Sequence, residues 1–189
     1  MNNNFHYRKP TRYKNYDYNQ PGYYFITTCV KDRIELFGAI KDGEMSLTDY
    51  GNIVNECWQN IPKYYSNCEL DCYVIMPDHL HGIIIVHTNI GDGSPVPSNI
   101  QGETKINEEN KIFPTAKIGS IINMIAYFKY QSTREINRLL KSPGMKIWQR
   151  SFYDRIIRNE KELYNIRKYI EQNPLAYEYE KNIPENIYM

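Results

Sequence analysis

The chain has 189 residues, 41% hydrophobic and 24% charged, with a formal net charge of +1. That balance supplies a core for one domain and excludes a disordered chain, and near-neutrality gives no global sign of a nucleic-acid partner. No apolar run of about 18 residues offers a membrane span, and four cysteines without a C-x-x-C pair do not read as a disulfide framework.

Residues 1–20 read as a polar basic arm. Its start, Met1 to His6, lacks the apolar run of a secretory signal, so a cytoplasmic location is expected. After Pro21-Gly22, the aromatic and β-branched run Tyr23–Val30 predicts a buried strand. Ile34–Ile40 is a second strand candidate, followed by the turn signal Lys41-Asp42-Gly43-Glu44. Ile53, Val54, Cys57, Trp58 and Ile61 recur at helical spacing after Thr48, a candidate N-cap. Leu70–Met76 and Leu80–Val86 predict strands separated by Pro77-Asp78, and Cys68 and Cys72 read as core residues at the start of the first. The almost wholly apolar second strand suits the middle of a sheet.

At Thr88 the composition turns to Asn, Gly, Pro, Ser and Glu, and 88–112 reads as a flexible polar loop. Helical spacing returns at Ile118, Ile121, Ile122, Ile125 and Phe128, with Ser120 nearby, and ends at Pro143-Gly144. Phe152–Ile157 predicts a short strand, and 159–173 a last helix that stops at Asn173-Pro174. The expected architecture is α+β, an antiparallel sheet with helices packed on one side, forming a single domain over 21–176 and a tail over 177–189.

Charge is segregated along the chain. The arm carries Arg8, Lys9, Arg12 and Lys14 against Asp17, with Tyr7, Tyr13, Tyr16 and Tyr18 as rings on which bases could stack. From Lys117 to Arg158 there are nine basic and two acidic residues. Such segregation creates a positive surface on a near-neutral protein, although solvated helix faces produce the same count.

Two short patterns carry chemistry. In His79-Leu80-His81, strand alternation sends both imidazoles to one face about 6–7 Å apart, where they can converge on a metal, while Leu80 enters the core. A chance H-x-H fits the same residues. His87 shares their parity but lies at the far end of the strand, as a solvated residue. In Tyr169-Ile170-Glu171-Gln172-Asn173-Pro174, Tyr169 and Asn173 share a helix face. A phenol beside an amide suits a nucleophile next to a metal ligand, and Asn before Pro is equally an ordinary helix end.

Pro77-Asp78-His79-Leu80-His81-Gly82 resembles the His-hydrophobic-His signature of the single-tyrosine HUH transposases, and in particular their REP-associated tyrosine transposase branch, the RAYT group. Four further segments resemble that branch in the same order. They are Arg8-Lys9 through Gly22–Thr27, Ile118–Lys129, Trp148-Gln149-Arg150-Ser151-Phe152-Tyr153-Asp154 with Ile157-Arg158-Asn159, and Tyr169-Ile170 with Asn173-Pro174.

The resemblance implies a ferredoxin- or RRM-like HUH sandwich. Within it, His79, His81 and Asn173 would be ligands of a divalent metal, Mg²⁺ or Mn²⁺, and Tyr169 the nucleophile. Relatives place Gln at the third-ligand position, and Asn offers the same carbonyl-type oxygen. Tyr153 and Tyr164 are rival nucleophiles, Tyr164 lying about 140° round the helix from Tyr169. The implied activity is cleavage and rejoining of single-stranded hairpin DNA from palindromic repeats through a 5′-phosphotyrosine, by a monomer or homodimer. Arg8, Lys9, Arg12, Lys129, Arg150, Arg155 and Arg158 are the candidate DNA contacts. A non-catalytic hairpin-binding protein on the same scaffold, or a structural metal site, are the alternatives.

Overall fold

The computed structural model describes residues 16–88 and 117–182. The arm residues Arg8, Lys9 and Arg12, and the polar loop beyond Thr88, lie outside the described residues. In chain order the elements are β1 (Gly22–Cys29), β2 (Gly38–Lys41), β3 (Glu44–Leu47), α1 (Asp49–Gln59) and the short α2 (Ile61–Tyr64). Then come β4 (Cys68–Met76), β5 (His79–Val86), α3 (Ile121–Leu140), β6 (Tyr153–Ile157) and α4 (Glu160–Asn182).

Strands β4-β5-β1-β6 form one antiparallel sheet in that order, with β5 and β1 central. With α1 and α3 as the two crossover helices, this is the β-α-β-β-α-β arrangement of a ferredoxin-like sandwich. Strand alternation divides the sheet into two faces. Tyr24, Ile26, Leu80 and Ile84 pack with Val54, Trp58, Met124, Ile125 and Phe128 of α1 and α3. Phe25, Ile83 and Ile157 point the other way and pack with Leu163, Ile166 and Ile170 of α4. Helices therefore cover both faces, where one covered side is expected from the sequence.

The helix starts follow local chemistry. The Thr48 side chain accepts from the Gly51 N–H at 3.2 Å, and that of Ser120 from the Asn123 N–H at 3.3 Å, each meeting an otherwise orphaned amide. The second strand expected at Ile34–Ile40 is displaced. β2 begins at Gly38 and pairs with β3 in a separate two-stranded sheet, turned by Asp42 and Gly43, both at positive φ. Tyr16 and Tyr18 also depart from expectation. Tyr18 lies in the core and the Tyr16 hydroxyl meets that of Tyr24 at 3.1 Å, so neither serves as a free stacking ring.

The largest departure is α4. It passes through Pro174 and runs to Asn182, absorbing the first residues of the expected tail. Pro174 lacks the N–H that would bond the Ile170 carbonyl, a local break worth about 3 kcal/mol. Tertiary contacts hold the second half. Glu178 accepts from the Asp42 and Gly43 amides at 3.1 and 2.6 Å, and Tyr177 and Lys181 both reach Glu35, at 2.9 and 2.6 Å. No helix among the described residues is long and apolar enough to cross a membrane.

Candidate active site

β5 places His79 and His81 on the α4 face, partnered across the sheet by Cys29 and Thr27 of β1. Both are buried, at 6% exposure. Their Nε2 atoms stand 3.1 Å apart, and each Nδ1 is engaged from behind. His79 Nδ1 lies 2.5 Å from Asp78 Oδ1, and His81 Nδ1 lies 2.7 Å from Thr27 Oγ1. A carboxylate only accepts, so His79 donates its Nδ1–H to Asp78 and carries its lone pair on Nε2. Thr27 can accept from His81 in the same way.

Burial, ahead of the His79 imidazole and the Arg33 guanidinium, pushes His81 down to about 3. Burial also lowers His79, against the opposing pull of Asp78. Both rings are therefore neutral at neutral pH, the form that ligates metals. Two lone pairs at this distance repel unless a proton or a cation lies between them. Adjacent ligands about 2.1 Å from one divalent ion, at near right angles, sit about 3 Å apart, so the pair fits such an ion.

Helix α4 brings two phenols to this pair, two turns apart. The Tyr169 hydroxyl is 3.3 Å from His81 Nε2, and its ring makes edge contact with Phe25, which stacks on His81. Two turns on, the Tyr177 ring centroid is 6.4 Å from that of His79. Asn173 falls between them on the same helical face, 8% exposed. Among the described residues no third His, Cys, Asp or Glu completes a ligand group with the two histidines. Ile170 turns into the sheet core and Tyr169 remains 50% exposed, open to a large substrate.

The rival phenols part company here. Tyr164 is exposed and faces away on α4, whereas Tyr153 on β6 partners Thr27 and shares the site's face of the sheet. His87 meets Glu69 at 3.3 Å at the far end of β5, away from the pair. The candidate DNA contacts scatter. Lys129 bonds the carbonyls of Gln149 and Ser151, tying α3 to the loop before β6. Arg155 pairs with Glu162 at 2.6 Å, and Glu162 also accepts from the Arg158 backbone N–H. Arg150 is exposed in the same loop that Lys129 secures.

Four neighbours of the histidines carry no periodic signal in the sequence: Thr27, Asp78, Arg33 and Tyr177. Tyr177 is four residues beyond Asn173, and the expected helix stop at Pro174 hid it. Asp32 and Arg33 adopt left-handed φ of 57°, which turns the Arg33 guanidinium onto Asp78 at 2.7 Å.

No protein-family model matches the chain. A Haemophilus influenzae protein called uncharacterized is 37% identical over 94% of this chain and 93% of its own length. A second protein of that organism, named as a REP-associated tyrosine transposase, is 26% identical over 86% of this chain and 76% of its own length. The solved structure of a REP-associated tyrosine transposase bound to a REP hairpin shares the fold with a TM-score of 0.55. It is 19% identical, covering 88% of this chain and 73% of that one.

Proposed function

We propose that the chain, which is similar in sequence and fold to REP-associated tyrosine transposases, is a metal-dependent single-stranded DNA strand transferase acting on hairpin DNA, with Tyr169 as nucleophile. The observation that carries this reading is the approach of the Tyr169 hydroxyl to within 3.3 Å of His81 Nε2, itself 3.1 Å from His79 Nε2. A phenol is poised beside two neutral imidazole donors on one face of a rigid sheet.

His79, His81 and the amide oxygen of Asn173 would hold Mg²⁺ or Mn²⁺. The ion would act as a Lewis acid toward a non-bridging phosphate oxygen. Asp78 and Thr27 fix the two rings so that their Nε2 lone pairs face the substrate side. Phe25 holds the Tyr169 ring edge-on, which limits its swing. Tyr169 Oη bonds to the phosphorus of the scissile phosphodiester while the bond from phosphorus to O3′ breaks. The phenolic proton passes to water and the departing O3′ takes one up. The products are a 5′-phosphotyrosine and a free 3′-hydroxyl, and attack by a second 3′-hydroxyl restores Tyr169 and rejoins the DNA. The covalent link conserves the phosphodiester, so no nucleotide hydrolysis is required.

The test mixes the protein with labelled single-stranded hairpin DNA and Mn²⁺, then separates products on a denaturing gel. A protein–DNA adduct is expected that needs the metal and is lost in Tyr169→Phe, which keeps the ring contacts with Phe25 and His81. Tight hairpin binding without any adduct under these conditions would instead favour a non-catalytic binding protein.

A further inference from the structure

On the other face of the sheet, the C-terminal end of α3 borders a groove of about 610 Å³. Its walls include Tyr130, Arg134, Asn137, Arg138, Lys141 and Pro143. Lys141 ends α3 in the left-handed conformation, at φ 52°, and turns the chain into Pro143-Gly144, which closes one side. Tyr130 is 63% exposed, and the Arg134 guanidinium lies 6.0 Å from its ring centroid. Arg134 and Arg138 share the single carboxylate of Glu135, at 2.8 and 2.9 Å. Three cations against one anion leave the groove positive around a flat aromatic wall.

The groove lies at the same end of the sheet as the histidines. Asn137 Nδ2 donates to the Met145 carbonyl, the Lys31 N–H to Ile147 at 2.7 Å, and the Gln149 N–H to Cys29 at 2.9 Å. Cys29 is the cross-strand partner of His79. Residues 143–149 thus bridge the groove to the site, with Arg150 exposed just beyond.

We propose that this groove takes an unpaired nucleotide flanking the hairpin, its base on Tyr130 and its phosphates toward Arg134, Arg138 and Lys141. The inference rests on the DNA reading above and assigns the groove to the single-stranded part of the substrate. An exposed ring set among cations matches the alternation of flat base and charged phosphate along a single strand.

Fluorescence anisotropy on the full chain tests it with two labelled probes: a hairpin carrying a flank of about ten nucleotides, and the same hairpin cut blunt. Tyr130→Ala is expected to weaken binding of the flanked probe about 10-fold, the effect of losing one base–ring stack, and to leave the blunt probe unchanged. Tyr130→Phe should retain affinity. Arg138→Ala should lower the salt slope on the flanked probe by about one. Unaltered affinity of Tyr130→Ala for the flanked probe, or equal weakening on both probes, would overturn the proposal. The adduct assay separates the two readings. A Tyr130 effect without an adduct leaves the groove standing and removes the strand-transfer chemistry, and an adduct without a Tyr130 effect removes the groove alone.

Discussion

Asp78 is 4% exposed and holds two partners at once, His79 Nδ1 through one carboxylate oxygen and Arg33 Nε through the other. The arrangement sets the His79 tautomer, and Arg33 holds the carboxylate in place. Loss of such an outer partner commonly costs 10–100-fold in metal affinity. Asp78→Ala is therefore expected to weaken Mn²⁺ binding, measured by calorimetry, by about 10-fold or more. Arg33→Ala should weaken it less and Arg33→Lys restore part of the loss. Unchanged affinity in Asp78→Ala would mean that the carboxylate supports the fold and not the ligand. At this scale the sequence discloses the histidines, because H-x-H on a strand has a period. A single buried threonine or aspartate has none, and Asp32-Arg33 at left-handed φ carries no compositional mark such as glycine.

Among the elements, β1, β5, α1 and α3 were legible because each carries one dominant signal: an aromatic and β-branched run, an apolar run, or helical spacing behind a hydroxyl cap. The β2–β3 hairpin lies away from the expected strand because its strands are short and its turn residues stand nearer the pairing than the apolar run does. Helix α4 departs from expectation for a stronger reason. Local chemistry at Pro174 favours a stop, and the compensation comes from Glu35 and the Asp42–Gly43 turn, 130 or more residues away in sequence. The extension matters to the site because it carries Tyr177 over His79. Glu178→Ala removes both amide contacts of the turn and is expected to cost about 1–2 kcal/mol, read as a lower urea midpoint. It should also raise amide exchange in the turns after Pro174 while leaving those around Leu163 protected. Uniform exchange along the helix would contradict this division.

For the molecule as a whole, the two faces of the sheet divide the work. The α1–α3 face holds the fold through Trp58, Phe128 and Trp148, whose indole N–H bonds the buried Ser132 hydroxyl at 2.9 Å. The α4 face carries the candidate chemistry. The scaffold also titrates in a definite direction. Burial pushes the Cys68 thiol up to about 12 and the Cys57 thiol up to about 11, and raises the Tyr24 phenol. These groups are neutral in the fold and ionise more readily once unfolded. Their contribution is therefore complete below about pH 8.5 and declines as pH rises toward the folded values. The urea midpoint should fall between about pH 8.5 and about pH 11, and a midpoint independent of pH over that span would contradict the burial argument.

In the proposed reaction one phenol, Tyr169, forms the covalent bond to DNA. The most direct measurement is to trap the protein–DNA adduct, digest it with nuclease and protease, and locate the residual nucleotide by tandem mass spectrometry. A nucleotide on the peptide containing Tyr169, at Tyr169 itself, is the expected result. A nucleotide on Tyr153 or Tyr164 would contradict the assignment, and a fully unmodified digest from a metal-loaded reaction would contradict the covalent mechanism.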